Sequence, residues 1–392
     1  MKKSSRIGLV SFWIVVFLAD TAWGMIISTL SLYATSLRAS VALIGILVSV
    51  RSILSIIAGP LVGFWSDNVG RKPVIIVGLV SFLVASISLV VVFDPLQLVP
   101  LSMLCGLGVC AVFPIGFAYI ADFAGSPRKG GAVGAYATFM GIGFAVGPLI
   151  GGFTSGNWGY TFTYIVSSVL ILISLGIAWK TLRKKGKSEF QPNTSSGLRD
   201  LFKNLWSAIK KKATMTAFVG LFFYGICFST IFSFLPIQAD KMGLSLLLIG
   251  YLFTARNLFS ALVRVPVGIV TRKISGNVLI FATMVIASAI LFVVPLCNFY
   301  ALLGILSLEG ICHGTCFISA NILIAENAEH YERGAAVGLS NAADAVGETI
   351  GPFILGIVGQ LFALAAIFRA ASVLMIAGAL LLLSIRRFNK NR

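Results

Sequence analysis

The chain has 392 residues, of which 58% are hydrophobic and only 11% charged, with a mean hydropathy of +0.99 and a formal net charge of +17. So little polar surface cannot clothe a soluble globule, which places the chain in a bilayer. Nor does the positive charge describe a nucleic-acid surface, because it is scattered over the ends and alternate loops of apolar runs rather than gathered on one folded face.

The chain opens on Lys2, Lys3 and Arg6 and then runs apolar, like a secretory leader. Asp20 interrupts that run and no small-x-small cleavage site closes it, so it reads as an uncleaved first helix. Twelve apolar runs follow in order: 8–33, 41–65, 73–93, 97–120, 131–154, 160–182, 213–238, 246–270, 277–297, 299–325, 334–360 and 363–385. They are continuous rather than alternating, which predicts helices and not barrel strands. Between the sixth and seventh runs, residues 183–212 turn polar and basic around Pro192, Asn193 and Gly197. The expected organisation is therefore a helical bundle over 1–182, a linker over 183–212 and a second bundle over 213–392. Within the linker, Leu201, Phe202, Leu205 and Ile209 have helical spacing and predict a short amphipathic helix on an anionic membrane surface.

Most Lys and Arg lie on one side if the amino terminus is cytosolic: Arg71 and Lys72, Arg128 and Lys129, the linker, Arg272 and Lys273, Arg333 and the carboxy-terminal tail. Only Arg38 and Lys241 fall in the opposite loops. That bias predicts a multi-pass protein of the cytoplasmic membrane with both termini in the cytosol. All six cysteines (105, 110, 227, 297, 312 and 316) sit in apolar runs and read as packing residues. Cys312, His313 and Cys316 lack a second ligand pair, so no metal and no cofactor is expected. No nucleophile, base and orienting group recur together, and the chain is not read as an enzyme.

The two halves repeat each other. Leu43-Ile44-Gly45-x-Leu47-x-x-x-Arg51-x-x-x-Ser55 returns as Leu248-Ile249-Gly250-x-Leu252-x-x-x-Arg256-x-x-x-Ser260, displaced by 205 residues. Both arginines lie about 15 Å down an apolar helix. Depth counting puts Asp20, Glu309 and Asp344 near the same level, with His313 and Glu348 one turn from the last two. Each such charge costs at least about 2.5–3.5 kcal/mol in hydrocarbon, so each is a functional candidate. Asp344 and Glu348 share a helix face and repel when both are ionised, which makes them candidate proton carriers. Glu309 and His313 set a second acid beside a base at the same spacing.

Three motifs carry a resemblance. Gly59-Pro60-Leu61-Val62-Gly63-Phe64-Trp65-Ser66-Asp67-Asn68-Val69-Gly70-Arg71-Lys72 resembles motif A of the major facilitator superfamily of secondary transporters. The resemblance implies a cytosolic gate in which Arg71 pairs with Asp122, and its eroded second copy brings Arg272 and Glu326 to the corresponding places. Gly134, Gly143, Gly147, Pro148, Gly151 and Gly152 resemble motif C of the superfamily's antiporters, echoed by Gly347, Gly351 and Pro352. Such spacing implies a close-packed helix pivot. The proton-coupling arginine of motif B is replaced by Ser102.

The resemblance implies an all-α fold of twelve transmembrane helices in two pseudo-symmetric six-helix bundles around a central cavity, close to the drug:proton antiporter branch. The expected function is export of a small organic solute by alternating access in exchange for protons. Asp344, Glu348, Glu309, His313 and Asp20 would carry protons; Arg51 and Arg256 would tune them or bind an anionic group. Trp23, Phe113, Tyr224 and Phe228 would supply an apolar wall. A proton-coupled importer or uniporter, or a non-transporting membrane sensor or scaffold, are the alternatives. The expected partners are a small-molecule substrate, protons and the lipid bilayer, with no nucleic acid, for a chain acting as a monomer.

Overall fold

The computed structural model describes residues 3–123, 129–182, 211–327 and 333–387. Eleven helical stretches among the described residues are long and apolar enough to cross a membrane. One of them, Lys129–Thr181, contains a non-helical residue at Gly159 (φ 82°), which divides it into two crossings and brings the number to twelve. In chain order the helices are α1 (Lys3–Ser36), α2 (Val41–Val69), α3 (Arg71–Leu89), α4 (Leu98–Phe123), α5 (129–158), α6 (160–181), α7 (Lys212–Lys241), α8 (Leu246–Val270), α9 (Gly276–Val293), α10 (Phe299–Asn327), α11 (Arg333–Leu361) and α12 (Leu364–Arg387). The predicted runs match these helices closely, because hydrocarbon forces every backbone group to be satisfied within its own segment. A break inside α8 after Leu262, with helix resuming at Arg264, was not expected.

The repeat extends to the turns. Ser40 and Ser245, 205 residues apart, cap α2 and α8 by accepting from the backbone N–H groups of Leu43 and Leu248. Asp94 and Asn298 likewise accept from Leu96 and Ala301 ahead of α4 and α10. Buried serines pin equivalent helices in each half: Ser86 with Ser167 and Ser168 between α3 and α6, and Ser288 with Ser372 at 2.9 Å between α9 and α12. Each is a short side chain whose polar atom is satisfied inside an apolar interior.

The chain forms two compact units. The first comprises Met1–Ala39, Val50–Pro192 and Ala239–Asn257; the second comprises Ser40–Ser49, Asn193–Gln238 and Leu258–Arg392. The units are thus not the two sequence halves: the opening turns of α2 cluster with the second unit and those of α8 with the first. In the first unit α1 lies along α5, and a Cβ added at Gly143 would meet the Phe17 carbonyl and the Thr21 backbone nitrogen. The second unit repeats this crossing between α7 and α11, where a Cβ on Gly347 would meet the Phe222 carbonyl and the Ile226 nitrogen. Gly152 approaches Gly250 of α8 in the first unit, and Gly45 of α2 approaches Gly356 in the second. Gly134, expected to belong to the same seam, faces open space, and close backbone approach is seen from Gly143 onward.

The amphipathic helix expected over residues 200–209 and the centre of the linker lie outside the described residues. All six cysteines are buried and none forms a disulfide.

Replacing Gly347 by Ala is expected to destabilise the protein by about 2 kcal/mol through overpacking. The same change at Gly338, which faces open space, should be neutral or stabilising by about 0.5–1 kcal/mol. Thermal unfolding of the two variants in detergent checks this, and equal losses would contradict the crossing.

Candidate functional site

Four ionisable residues of the apolar spans are enclosed by protein. Asp20 and Arg51 are each 5% exposed, Arg256 is 1% exposed and Glu309 is fully buried. Asp344 and Glu348 are half-buried and interact electrostatically across one turn of α11. By contrast, the large apolar side chains Ile57, Leu172, Leu262 and Leu380 are exposed, as lipid-facing positions should be. Arg369, in the second turn of α12, is exposed near a helix end. Arg264 is half-buried with its guanidinium 5.7 Å from the Phe317 ring.

In the first unit, α1, α2, α4 and α5 converge on Asp20 and Arg51. A Cβ added at Gly143 of α5 would stand 3.3 Å from the Asp20 Cβ. Gly106 of α4 lies against the Arg51 carbonyl, and Ser55 one turn further on donates to the Gly106 carbonyl at 3.0 Å. The Arg51 guanidinium sits 5.2 Å from the Trp23 ring centroid, a cation–π contact, and Trp23 continues into Phe82 at 5.9 Å and Phe113 at 6.1 Å. Trp23 and Phe113 therefore share one aromatic ladder. Ser102, at the motif B position, is buried one turn before Gly106. The cation at this level is supplied by α2 instead of α4.

The second unit arranges the same helices with different chemistry. At a displacement of 205 residues Gly225 replaces Asp20, and it packs against the Asp344 carbonyl. The acid at this crossing comes from α11 rather than from α7. Phe228, the counterpart of Trp23, stacks on His313 at 5.6 Å and 29°. His313 Nδ1 hydrogen-bonds Ser260 Oγ at 3.1 Å, and the Cys227 thiol points at Glu309 Oε1 at 3.8 Å. Tyr224 is 1% exposed and donates its hydroxyl to the Thr283 carbonyl at 2.8 Å. That bond ties Tyr224 between α7 and α9, and its ring stands edge-on to His313 at 6.1 Å.

Pro148 and Pro352 both stand inside helices. A proline has no N–H for the carbonyl four residues earlier, so Pro148 leaves the Phe144 carbonyl without its helical donor. Asn257 Nδ2 of α8 donates to that oxygen at 3.1 Å, while Asn257 Oδ1 accepts from Arg256 Nη1 at 3.2 Å. On α11, Ser49 of α2 donates to the Thr349 carbonyl at 2.6 Å. Asn257 was not singled out from sequence, and Ser260 only as a member of the repeat. The available signal was that Asn257 stands where the repeat has Ser52.

The motif A turn is a hub on Arg71. Gly70 holds φ at 96°, a left-handed conformation that permits the sharp passage from α2 to α3. Arg71 donates to Asp122 Oδ2 at 3.2 Å through Nε, and to Asp67 and Ser66 through Nη1. The neighbouring Lys72 donates to the Trp179 and Leu182 carbonyls, capping the end of α6 where the linker departs. Gly63 has open space around it. Arg272 and Glu326 are both exposed, and among the described residues no ion pair joins them, unlike Arg71 and Asp122.

The Major Facilitator Superfamily profile matches residues 12–303 and 239–392. An uncharacterised MFS-type transporter of Methanocaldococcus jannaschii is 20% identical over 93% of this chain and 94% of its own length. The multidrug resistance protein MdtG of Erwinia billingiae is 27% identical over 47% of this chain, and the match spans 45% of that protein. Among solved structures, the nucleoside transporter NupG superposes with a TM-score of 0.80 at 14% identity, covering 96% of this chain and 98% of its own, a likeness of fold.

Arg71→Ala is expected to cost about 1–2 kcal/mol of stability, because three acceptors lose their donor. Asp122→Asn should cost under about 1 kcal/mol, since the pair is partly exposed and Arg71 keeps its other partners. Denaturation of both variants decides it: equal losses would contradict Arg71 as the hub.

Proposed function

The chain belongs to the major facilitator superfamily of membrane transporters, and from that premise we propose that it exports a small organic solute in exchange for protons. The reading rests on one observation above the others. Asp20, Arg51, Arg256 and Glu309 lie within apolar spans yet are at least nine-tenths enclosed by protein. Charges kept at that depth are compensated inside the protein and are the parts that a coupling ion or a charged substrate group acts on.

Asp344 and Glu348 are the first proton carriers, because a shared face makes the ionised pair repel and a single proton relieves it. Glu309 with His313, and Asp20, are the second and third. Arg51 and Arg256 set the charge balance against these acids or hold an anionic group of the substrate. The glycine crossings of α1 with α5 and of α7 with α11 allow two backbones to slide with few side chains between them, which suits helices that rock during alternating access. Export is favoured over import by the motif C spacing and by the partial likeness to MdtG. The positive-inside bias supports cytosolic termini in a cytoplasmic membrane, and the chain works as a monomer. One proton entering through 100 mV supplies about 2.3 kcal/mol, enough to concentrate a neutral solute some tens-fold.

The test is flux in proteoliposomes with an imposed pH gradient, screening solute classes with a trapped pH-sensitive dye. At least one class should move against the proton flow and dissipate the gradient, and Asp344→Asn should reduce that coupled movement about ten-fold or more. Solute moving with the protons would establish an importer. No flux for any class, with a partner captured by residues 183–212, would establish a sensor.

A further inference from the structure

Asn257 is 5% exposed and engaged at both ends: its amide nitrogen donates to the carbonyl that Pro148 strips of a helical donor, and its amide oxygen accepts from Arg256 Nη1. The two ends of the amide are not interchangeable. Turning it over would set oxygen against the Phe144 carbonyl and NH2 against a guanidinium, so chemistry fixes one orientation. In that orientation the Arg256 cation polarises the amide and strengthens its bond to the bent helix. The contact also sits where α5 and α8 meet most closely, since Gly250 approaches the Pro148 carbonyl and Gly152 approaches Gly250. The repeat has no such amide: Ser52 stands at the equivalent place, and α11 instead receives the Ser49 hydroxyl at Thr349.

We propose that Asn257 is a positioning residue that couples the state of Arg256 to the proline bend of α5. When Arg256 is engaged by an acid or by an anionic substrate group, the guanidinium shifts relative to the amide oxygen. The amide then releases or tightens its hold on the Phe144 carbonyl, and the bend at Pro148 opens or closes with it. The coupling rests on the transport reading only in that Arg256 changes state during a cycle; the bond network itself can be tested without any substrate.

The experiment is amide hydrogen exchange over residues 145–152 of the full chain in lipid nanodiscs, for the wild type and for Asn257→Asp, Pro148→Ala, Arg256→Gln and their pairwise combinations. Asn257→Asp keeps the size and the oxygen facing Arg256 but replaces the donor to Phe144, and should speed exchange about ten-fold, the worth of one buried hydrogen bond. Pro148→Ala gives Phe144 an intrahelical donor, so Asn257→Asp in that background should change exchange by less than about two-fold. Arg256→Gln should speed exchange in the wild type and add nothing once Asn257 is Asp. If Asn257→Asp alone does not fold, recovery of folded protein on adding Pro148→Ala is the same rescue read as yield. Equal effects in both backgrounds, or no rescue, would overturn the proposal. Absent flux in every protein with this exchange pattern intact would remove the exporter reading and leave the coupling standing. Normal flux with additive exchange effects would do the reverse.

Discussion

An ionisable side chain at the depth of a bilayer's hydrocarbon costs about 2.5–3.5 kcal/mol even by the most lenient scale. The rest of this structure follows from how that cost is met. Asp20, Arg51, Arg256 and Glu309 are turned into protein while Ile57, Leu172, Leu262 and Leu380 are turned outward. Enclosure needs polar neighbours at the right height, and they are present: Trp23 beneath the Arg51 guanidinium, Asn257 against Arg256, and the Cys227 thiol beside Glu309.

The same constraint explains the glycines and prolines. With lipid on one side and lipid-like side chains on the other, helices gain little by burying apolar area and must associate through close backbone approach. Gly143 and Gly347 provide it at equivalent crossings, and prolines stand a few residues later in the same helices. Pro148 leaves the Phe144 carbonyl without its helical donor and Asn257 of α8 meets it, while Ser49 of α2 donates to the Thr349 carbonyl, one residue beyond the Glu348 carbonyl that Pro352 leaves. Bending, charge and close approach therefore occupy one level of the membrane, where small changes in one reach the others.

Much of the fold was legible in the sequence because the bilayer is a uniform solvent. The apolar runs and the repeat of Arg51 in Arg256 are local patterns that one dimension records. Gly159 divided α5 from α6 as the gap between 154 and 160 predicted. The gate pairing of Arg71 with Asp122 was also legible, since the motif carries it. What was not legible depends on which helix faces meet. Tyr224 has the composition of a cavity side chain but spends its hydroxyl on Thr283. Gly134 has the spacing of the pivot but no neighbour. Asn257 has no motif at all, and its role emerges only when Pro148 is placed opposite it. The break in α8 near Val263 has a local cause in Pro266, which has no N–H for the Leu262 carbonyl and sits in the first turn of the helix that resumes at Arg264.

The most direct measurement of the central claim is the surroundings of the α11 carboxylates in a membrane. Single cysteines would replace Asp344 and, as a lipid-facing control, Leu380, in a background where the six native cysteines are removed. The account predicts that the cysteine at 344 reacts with a charged, water-soluble maleimide and is shielded from a lipid-soluble quencher carried on acyl chains, with the reverse at 380. Quenching by lipid at 344, with no reaction from water, would mean that this charge faces hydrocarbon and would contradict the account.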